Sequence, residues 1–82
     1  MRDEQLEYLE QAERAYRLGA DHISRQRDTI AELQRNSHDT LSAEALLAVF
    51  LETQRLRKAE LEQVRSELRR ARWSRLTASE TK

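Results

Sequence analysis

Five consecutive residues, Asn36 to Thr40, interrupt a chain that otherwise has the composition of long helices. The 82 residues include no Pro and one Gly, and 37% of them are charged. This composition is typical of amphipathic helices and coiled coils. Because Asn, Ser and Asp favour turns, their clustering in mid-chain predicts a reversal of direction. We therefore predict an all-α fold, an antiparallel helical hairpin of two long helices that forms one domain over 1–82.

The helices are predicted at about 3–35 and about 41–76, with the turn at 36–40 between them. Residues 77–82 carry no periodic apolar side chain, so this tail is expected to fray.

Within the turn, Asn36 is expected to adopt the left-handed conformation that ends the first helix. Asp39 or Thr40 is expected to cap the second helix by accepting from its free N–H groups. His38, beside Asp39, has a side chain that could titrate near neutral pH or bind a metal. With no Cys in the chain and His22 sixteen residues away, we interpret His38 as a polar turn residue instead.

Both helices carry a seam of apolar residues at heptad spacing. The first helix repeats every seven residues at Leu9, Tyr16, Ile23 and Ile30, with Ala12, Gly19, Gln26 and Leu33 three residues after them. The second continues a similar seam through Leu61, Val64, Leu68 and Ala71. A fold-back near residue 38 pairs positions whose numbers sum to about 76 or 77. The predicted pairs are Leu9 with Leu68, Ala12 with Val64, Tyr16 with Leu61, Gly19 with Arg57, Ile23 with Gln54, Gln26 with Phe50 and Ile30 with Leu47. Gly19 is expected to allow a close approach or to make room for a long side chain.

The middle of this seam is polar, with Gln26, Gln54 and Arg57 on it. A buried polar layer can specify register and oligomeric state at a cost in stability, and this is the interpretation we favour. A ligand site and simple exposure to solvent are the alternatives.

The two ends of the chain have opposite charge. Residues 1–13 hold five acidic residues and one Arg, whereas residues 65–76 hold five Arg and one Glu. A hairpin places these segments side by side, so we expect them to align the helices. The alternative is a small nucleic-acid-binding protein whose C-terminal segment contacts phosphates and stacks on bases. The residues involved would be Arg65, Arg69, Arg70, Arg72, Arg75 and Trp73.

An apolar cluster after the turn is too wide for a single partner helix. It comprises Leu46, Val49, Phe50, Leu51 and Leu56, and a broad apolar face requires a further neighbour. We expect a homodimer that forms a four-helix bundle or coiled coil. Docking of another protein on this face is the alternative.

The sequence points to a non-enzymatic structural or protein–protein interaction module. It has no paired carboxylates on the polar part of the seam and no Glu-x-x-His motif, so we expect no catalytic residues, cofactor or metal site. Zero net charge makes nucleic acid the less favoured partner. The polar N-terminus does not resemble a secretory signal, and no apolar run is long enough to span a membrane. We therefore expect a cytoplasmic protein without a membrane partner.

The central block resembles a family of short uncharacterised helical proteins of alphaproteobacteria such as rhizobia. The resemblance covers roughly residues 22–57 and rests on Arg25-Gln26-Arg27, Ile30-Ala31-Glu32-Leu33, His38-Asp39-Thr40, Ala43, Leu46-Leu47, Phe50 and Thr53-Gln54. The family pattern has Gly where this chain has Ser37, and His near position 57 where this chain has Arg57. The resemblance implies a helical hairpin and no known activity.

Overall fold

The chain folds into two long α-helices joined by a short turn. The computed structural model describes residues 2–80, with side-chain surroundings for 4–78. Helix α1 spans Arg2–Arg35 and α2 spans Leu41–Glu80, and the two pack along their length as an antiparallel hairpin. The all-α hairpin expected from sequence is thus confirmed, with the turn where the helix signals lapse.

The first helix ends in a Schellman motif whose left-handed residue is Ser37, not Asn36. Ser37 has φ of 59°, and its N–H donates to the Gln34 carbonyl at 3.1 Å, while the His38 N–H donates to the Leu33 carbonyl at 2.8 Å. The Asn36 N–H still bonds the Glu32 carbonyl four residues back, at 3.1 Å. The prediction for Asn36 was wrong because helical bonding continues one residue further, which moves the left-handed position to Ser37.

The second helix begins with the cap expected from Asp39. Its Oδ1 accepts from the Leu41 N–H at 3.0 Å, and the Thr40 carbonyl accepts from the Glu44 N–H at 2.8 Å. At its other end, α2 continues to Glu80, four residues beyond the expected end at 76. Neither Pro nor Gly stops it there, and the Thr77 hydroxyl donates back to the carbonyls of Trp73 and Ser74. Residues 81 and 82 of the predicted frayed tail lie outside the described residues.

The core of the hairpin is a narrow line of small and branched side chains. Within the described residues, the buried hydrophobic side chains are Ala12, Ile30, Leu61 and Val64, each 4–9% exposed. The other predicted seam residues of α1 are half-buried apart from Gly19, which is buried. The Cα radius of gyration is 19.4 Å, compared with about 12 Å for a compact domain of this length. The molecule is therefore a rod with little interior.

The cross-helix contacts follow the predicted pairing at some positions and depart from it at others. The ring of Phe50 packs against the ring of His22, with centroids 5.6 Å apart and the rings tilted by 36°. Gln54 Nε2 donates to the Tyr16 carbonyl, and the Gln54 amide lies beside Gly19. The predicted proximity of Gly19 and Arg57 is observed. Gln54 and Arg57 make their contacts through long side chains, which reach residues other than the one directly opposite. Pairs symmetric about residue 38 therefore describe the seam only in part.

Candidate interaction surfaces

The polar part of the seam is built around Gly19. The Gln54 side-chain amide lies where a Cβ on Gly19 would be, and Arg57 Nη1 would be 2.8 Å from that Cβ. Gln54 Nε2 donates to the Tyr16 carbonyl at 2.8 Å, and Arg57 Nη1 donates to the Ala15 carbonyl at 3.3 Å. The missing side chain of Gly19 therefore leaves the space in which two long polar side chains reach the backbone of α1.

Gln26 makes a similar contact nearer the turn, where its Nε2 donates to the Ala43 carbonyl at 2.8 Å. Gln26 is thus separated from Gln54 and Arg57 along the seam, and the three side chains do not converge on one pocket. Gln54 Oε1 is buried and is without a hydrogen-bond partner among the described atoms. The side chains of Gln26, Gln54 and Arg57 each bind a backbone carbonyl of the opposite helix. Such contacts are suited to setting the register of the two helices.

One side of the hairpin presents an apolar face, defined here as Leu18, His22, Leu46, Val49, Thr53 and Leu56. On α2, positions 46, 49, 53 and 56 follow a 3, 4, 3 spacing, which lines them up along one stripe of the helix. Val49 and Thr53 line a shallow groove of about 280 Å³ with His22 and Gly19. Leu18 precedes His22 by one turn on α1 and is exposed, as are Leu46, Val49 and Leu56. The face therefore resembles a second seam that has no partner helix within the chain.

Two residues of the apolar cluster predicted from sequence are placed differently from the other three. Phe50 lies at the border of the apolar face, since it is half-buried against His22 and lines the same shallow groove as Val49 and Thr53. Leu51, which is 41% exposed, follows Val49 by two residues and so lies about 200° around the axis of α2. The structure separates Leu51 from Leu46, Val49 and Leu56 because adjacent residues of a helix point in different directions.

The opposite side of the hairpin, toward the open end, carries an arginine groove of about 650 Å³. We define it by Arg65, Arg69, Arg72 and Arg75 of α2 with Leu6 and Leu9 of α1. Arg70 is exposed but does not line the groove. Trp73 follows Arg69 by one turn and is 67% exposed. The groove therefore combines a row of guanidinium groups with an apolar floor, and Trp73 lies outside its lining.

The expected alignment of acidic and basic segments reduces to one contact in the described side chains. Arg65 pairs with Glu13 at 3.3 Å. Between residues 4 and 78, no carboxylate comes within 4.0 Å of the guanidinium nitrogens of Arg69, Arg72 or Arg75. Most of the Arg row therefore makes no ion pair with α1 within residues 4–78.

Acidic residues lie instead on the same side as the apolar face, at the open end. Glu4, Glu60 and Glu67 line a groove of about 500 Å³ with Tyr8 and Gln63. We call this the acidic groove. The open end of the hairpin therefore has one acidic side and one basic side, although the whole chain has no net charge.

The titratable groups give little sign of a chemical site. His38 is exposed in the turn, and in the part of the chain that the structure describes no group of three or more His, Cys, Asp or Glu could hold a metal ion. The pKa of Glu52 is lowered by a hydrogen bond from Arg55, 2.7 Å away, and by its positive charge, and the pKa of Arg55 is raised in return. Both side chains are exposed on the surface of α2.

Comparisons with protein-family models, curated proteins and solved structures find nothing that matches this chain. Over residues 2–80, neither helix contains a stretch long and apolar enough to cross a membrane.

Proposed function

We propose that this chain is a non-enzymatic interaction module that associates with a second copy through its apolar face. The two hairpins would form a four-helix bundle. The observation that supports this most directly is the 3, 4, 3 stripe of Leu46, Val49, Thr53 and Leu56, which repeats the spacing of the internal seam on a side where the chain supplies no helix. A second copy brings the same stripe, and a two-fold axis allows the two stripes to pack on one another.

The surface area supports the same conclusion. The hairpin exposes 6867 Å², whereas a compact monomer of its mass, 9.7 kDa, exposes roughly 5,100 Å². A standard interface removes roughly 800 Å² from each partner. Pairing two copies would therefore bury an area equal to about half of the surface that each hairpin exposes beyond that of a compact monomer. It would also bury apolar side chains that the narrow core leaves exposed.

Charge favours an antiparallel arrangement of the two hairpins. A parallel pair would bring the two acidic grooves together at one end, and like charges at short range repel. An antiparallel pair would keep the two acidic grooves apart, at opposite ends of the bundle.

Light scattering on a sizing column tests the proposal, with the protein loaded at several concentrations and two salt levels. We expect twice the chain mass, insensitive to salt, because the contact is apolar. The double substitution Val49→Glu and Leu56→Glu should give the mass of one chain, because it puts four carboxylates into the interface.

Leu51→Glu is the matched control, since it adds a carboxylate to the same helix on another side and should leave the dimer intact. Far-UV circular dichroism would establish that each variant remains helical. A wild-type mass of one chain at every concentration, or a dimer that survives the double substitution, would refute the proposal.

A further inference from the structure

We propose that the arginine groove and Trp73 bind the phosphate backbone of a single-stranded nucleic acid. This site is separate from the apolar face, and its occupancy does not depend on self-association. Three properties of the site support the proposal, namely its free cationic groups, its length and its exposed aromatic ring.

The cationic groups are available to an external anion. Of the four Arg that line the groove, Arg65 is paired with Glu13, and Arg69, Arg72 and Arg75 have no carboxylate partner among residues 4–78. Guanidinium groups are suited to phosphate because they donate two parallel hydrogen bonds to it. Three such groups in one row create a local positive surface despite the zero net charge of the chain.

The row of Arg side chains is as long as a few nucleotides of a single-stranded nucleic acid. From Arg65 to Arg75 the helix rises about 15 Å, at about 1.5 Å per residue. A stacked strand advances about 3.4 Å per nucleotide, so the row would follow about four nucleotides. Leu6 and Leu9 form the apolar floor of the groove, against which sugars and base edges could pack.

Trp73 supplies the aromatic surface that single-strand binders use. Its side chain is 67% exposed, and on α2 it follows Arg69, which lines the groove, by one turn. Base stacking on an aromatic side chain needs an unpaired base, because the faces of bases in a duplex are already covered. The site therefore favours single strands over duplexes.

An anionic lipid surface is the main competitor, because Trp73 and Leu76 are both exposed beside the Arg row. The groove favours nucleic acid, since three of its Arg lie along a concave surface rather than above a continuous apolar face. A helix that lies on a membrane surface needs a continuous apolar face.

The test is fluorescence anisotropy with fluorescein-labelled oligonucleotides of about twelve nucleotides, single-stranded and duplex, at 50 and 200 mM salt. We expect binding to the single strand, with weaker binding to the duplex. Three phosphate contacts predict a salt slope of about −2, or roughly a 20-fold loss of affinity between the two salt levels.

The variant Arg69→Gln with Arg72→Gln and Arg75→Gln should lower single-strand affinity at least tenfold. The matched control is Arg17→Gln with Arg25→Gln and Arg35→Gln, which removes the same charge from exposed positions of α1 and should change affinity less than twofold. Trp73→Ala should weaken binding about fivefold or more, and Trp73→Phe should retain most of it, because a phenyl ring can also stack.

Three results would overturn the proposal. The first is no anisotropy change with either strand at 50 mM salt. The second is an equal loss of affinity in the groove variant and its control, which would mean that charge alone governs binding. The third is binding to phosphatidylserine vesicles without binding to the strands, which would assign the groove to lipid. The groove variants should keep the wild-type mass by light scattering, so a failure here is distinguishable from a failure of self-association.

Discussion

Two neighbouring layers of the same seam differ in what they contribute to the hairpin. The apolar layer contains Ala12, Leu61 and Val64, all buried. The polar layer contains Gly19, Gln54 and Arg57, and its side chains reach carbonyl oxygens of α1. Apolar contacts have no preferred partner atom, whereas a hydrogen bond requires one. The comparison indicates that the first layer holds the helices together and the second determines where along α1 they meet.

The energies of the two layers support this division. Full burial of a Leu or Val side chain contributes about 1.5–3 kcal/mol. A net hydrogen bond contributes about 0.5–1.5 kcal/mol, and a buried polar atom without a partner costs about 1–3 kcal/mol. Since Gln54 Oε1 is such an atom, the polar layer adds little to the free energy of unfolding while it restricts the register.

The largest expected effect comes from the apolar layer. Leu61→Ala should reduce the free energy of unfolding by about 2–5 kcal/mol, because Leu61 is 4% exposed and its truncation leaves a cavity. Leu56→Ala, measured in dilute protein, is the control. Because Leu56 is 56% exposed in the single chain, this substitution should reduce the free energy of unfolding by less than about 1 kcal/mol. Urea denaturation measures both, and similar losses at the two positions would contradict the assignment of the core.

The polar layer is best tested by a double-mutant cycle between Gly19 and Gln54. In the wild-type background, Gly19→Ala should not raise the free energy of unfolding, because the new Cβ displaces the Gln54 amide from the Tyr16 carbonyl. In a Gln54→Ala background, the same substitution should stabilise by about 1 kcal/mol through higher helix propensity. Thermal unfolding of the four proteins gives the coupling energy. Additive effects would mean that Gly19 and Gln54 do not share the space that the structure assigns to them.

The turn allows a test of which residue takes the left-handed conformation at the end of α1. Ser37→Gly should stabilise by about 1 kcal/mol, because Gly adopts positive φ without the penalty that Ser37 incurs. This corresponds to a rise in Tm of about 4–8 °C. Ser37→Ala retains a Cβ and should bring no comparable gain. If the glycine variant unfolded at a lower temperature, the assignment of the left-handed residue would be wrong.

The smallest effect is expected at the exposed pair Glu52–Arg55, which lies outside both layers. Because the pKa of Glu52 is lowered below its ordinary value of 4.5, any stabilisation is present above that value and is lost as the pH falls through the lowered pKa. Exposed pairs contribute little, so Glu52→Gln should match wild-type stability at pH 7 and at pH 3. A clear loss confined to pH 7 would show that the pair matters.

Local features of the sequence determined the elements of this fold. The absence of Pro and the heptad spacing predict both helices. The cluster at 36–40 locates the turn, and the observed helix bounds agree within one residue except at the end of α2. The prediction that Gly19 would make room for a long side chain was also correct. These properties depend on neighbours within one or two turns, which a sequence displays directly.

Only the tertiary structure decided how the two helices meet. The ring of Phe50 packs against His22, and left-handed geometry fell on Ser37 because hydrogen bonding continued through Asn36. The same arrangement left Arg69, Arg72 and Arg75 without an ion pair to the carboxylates of residues 4–78. The periodicity of a helix specifies which residues share a stripe. The axial offset depends on small differences among many cross-helix contacts, which no single helix contains.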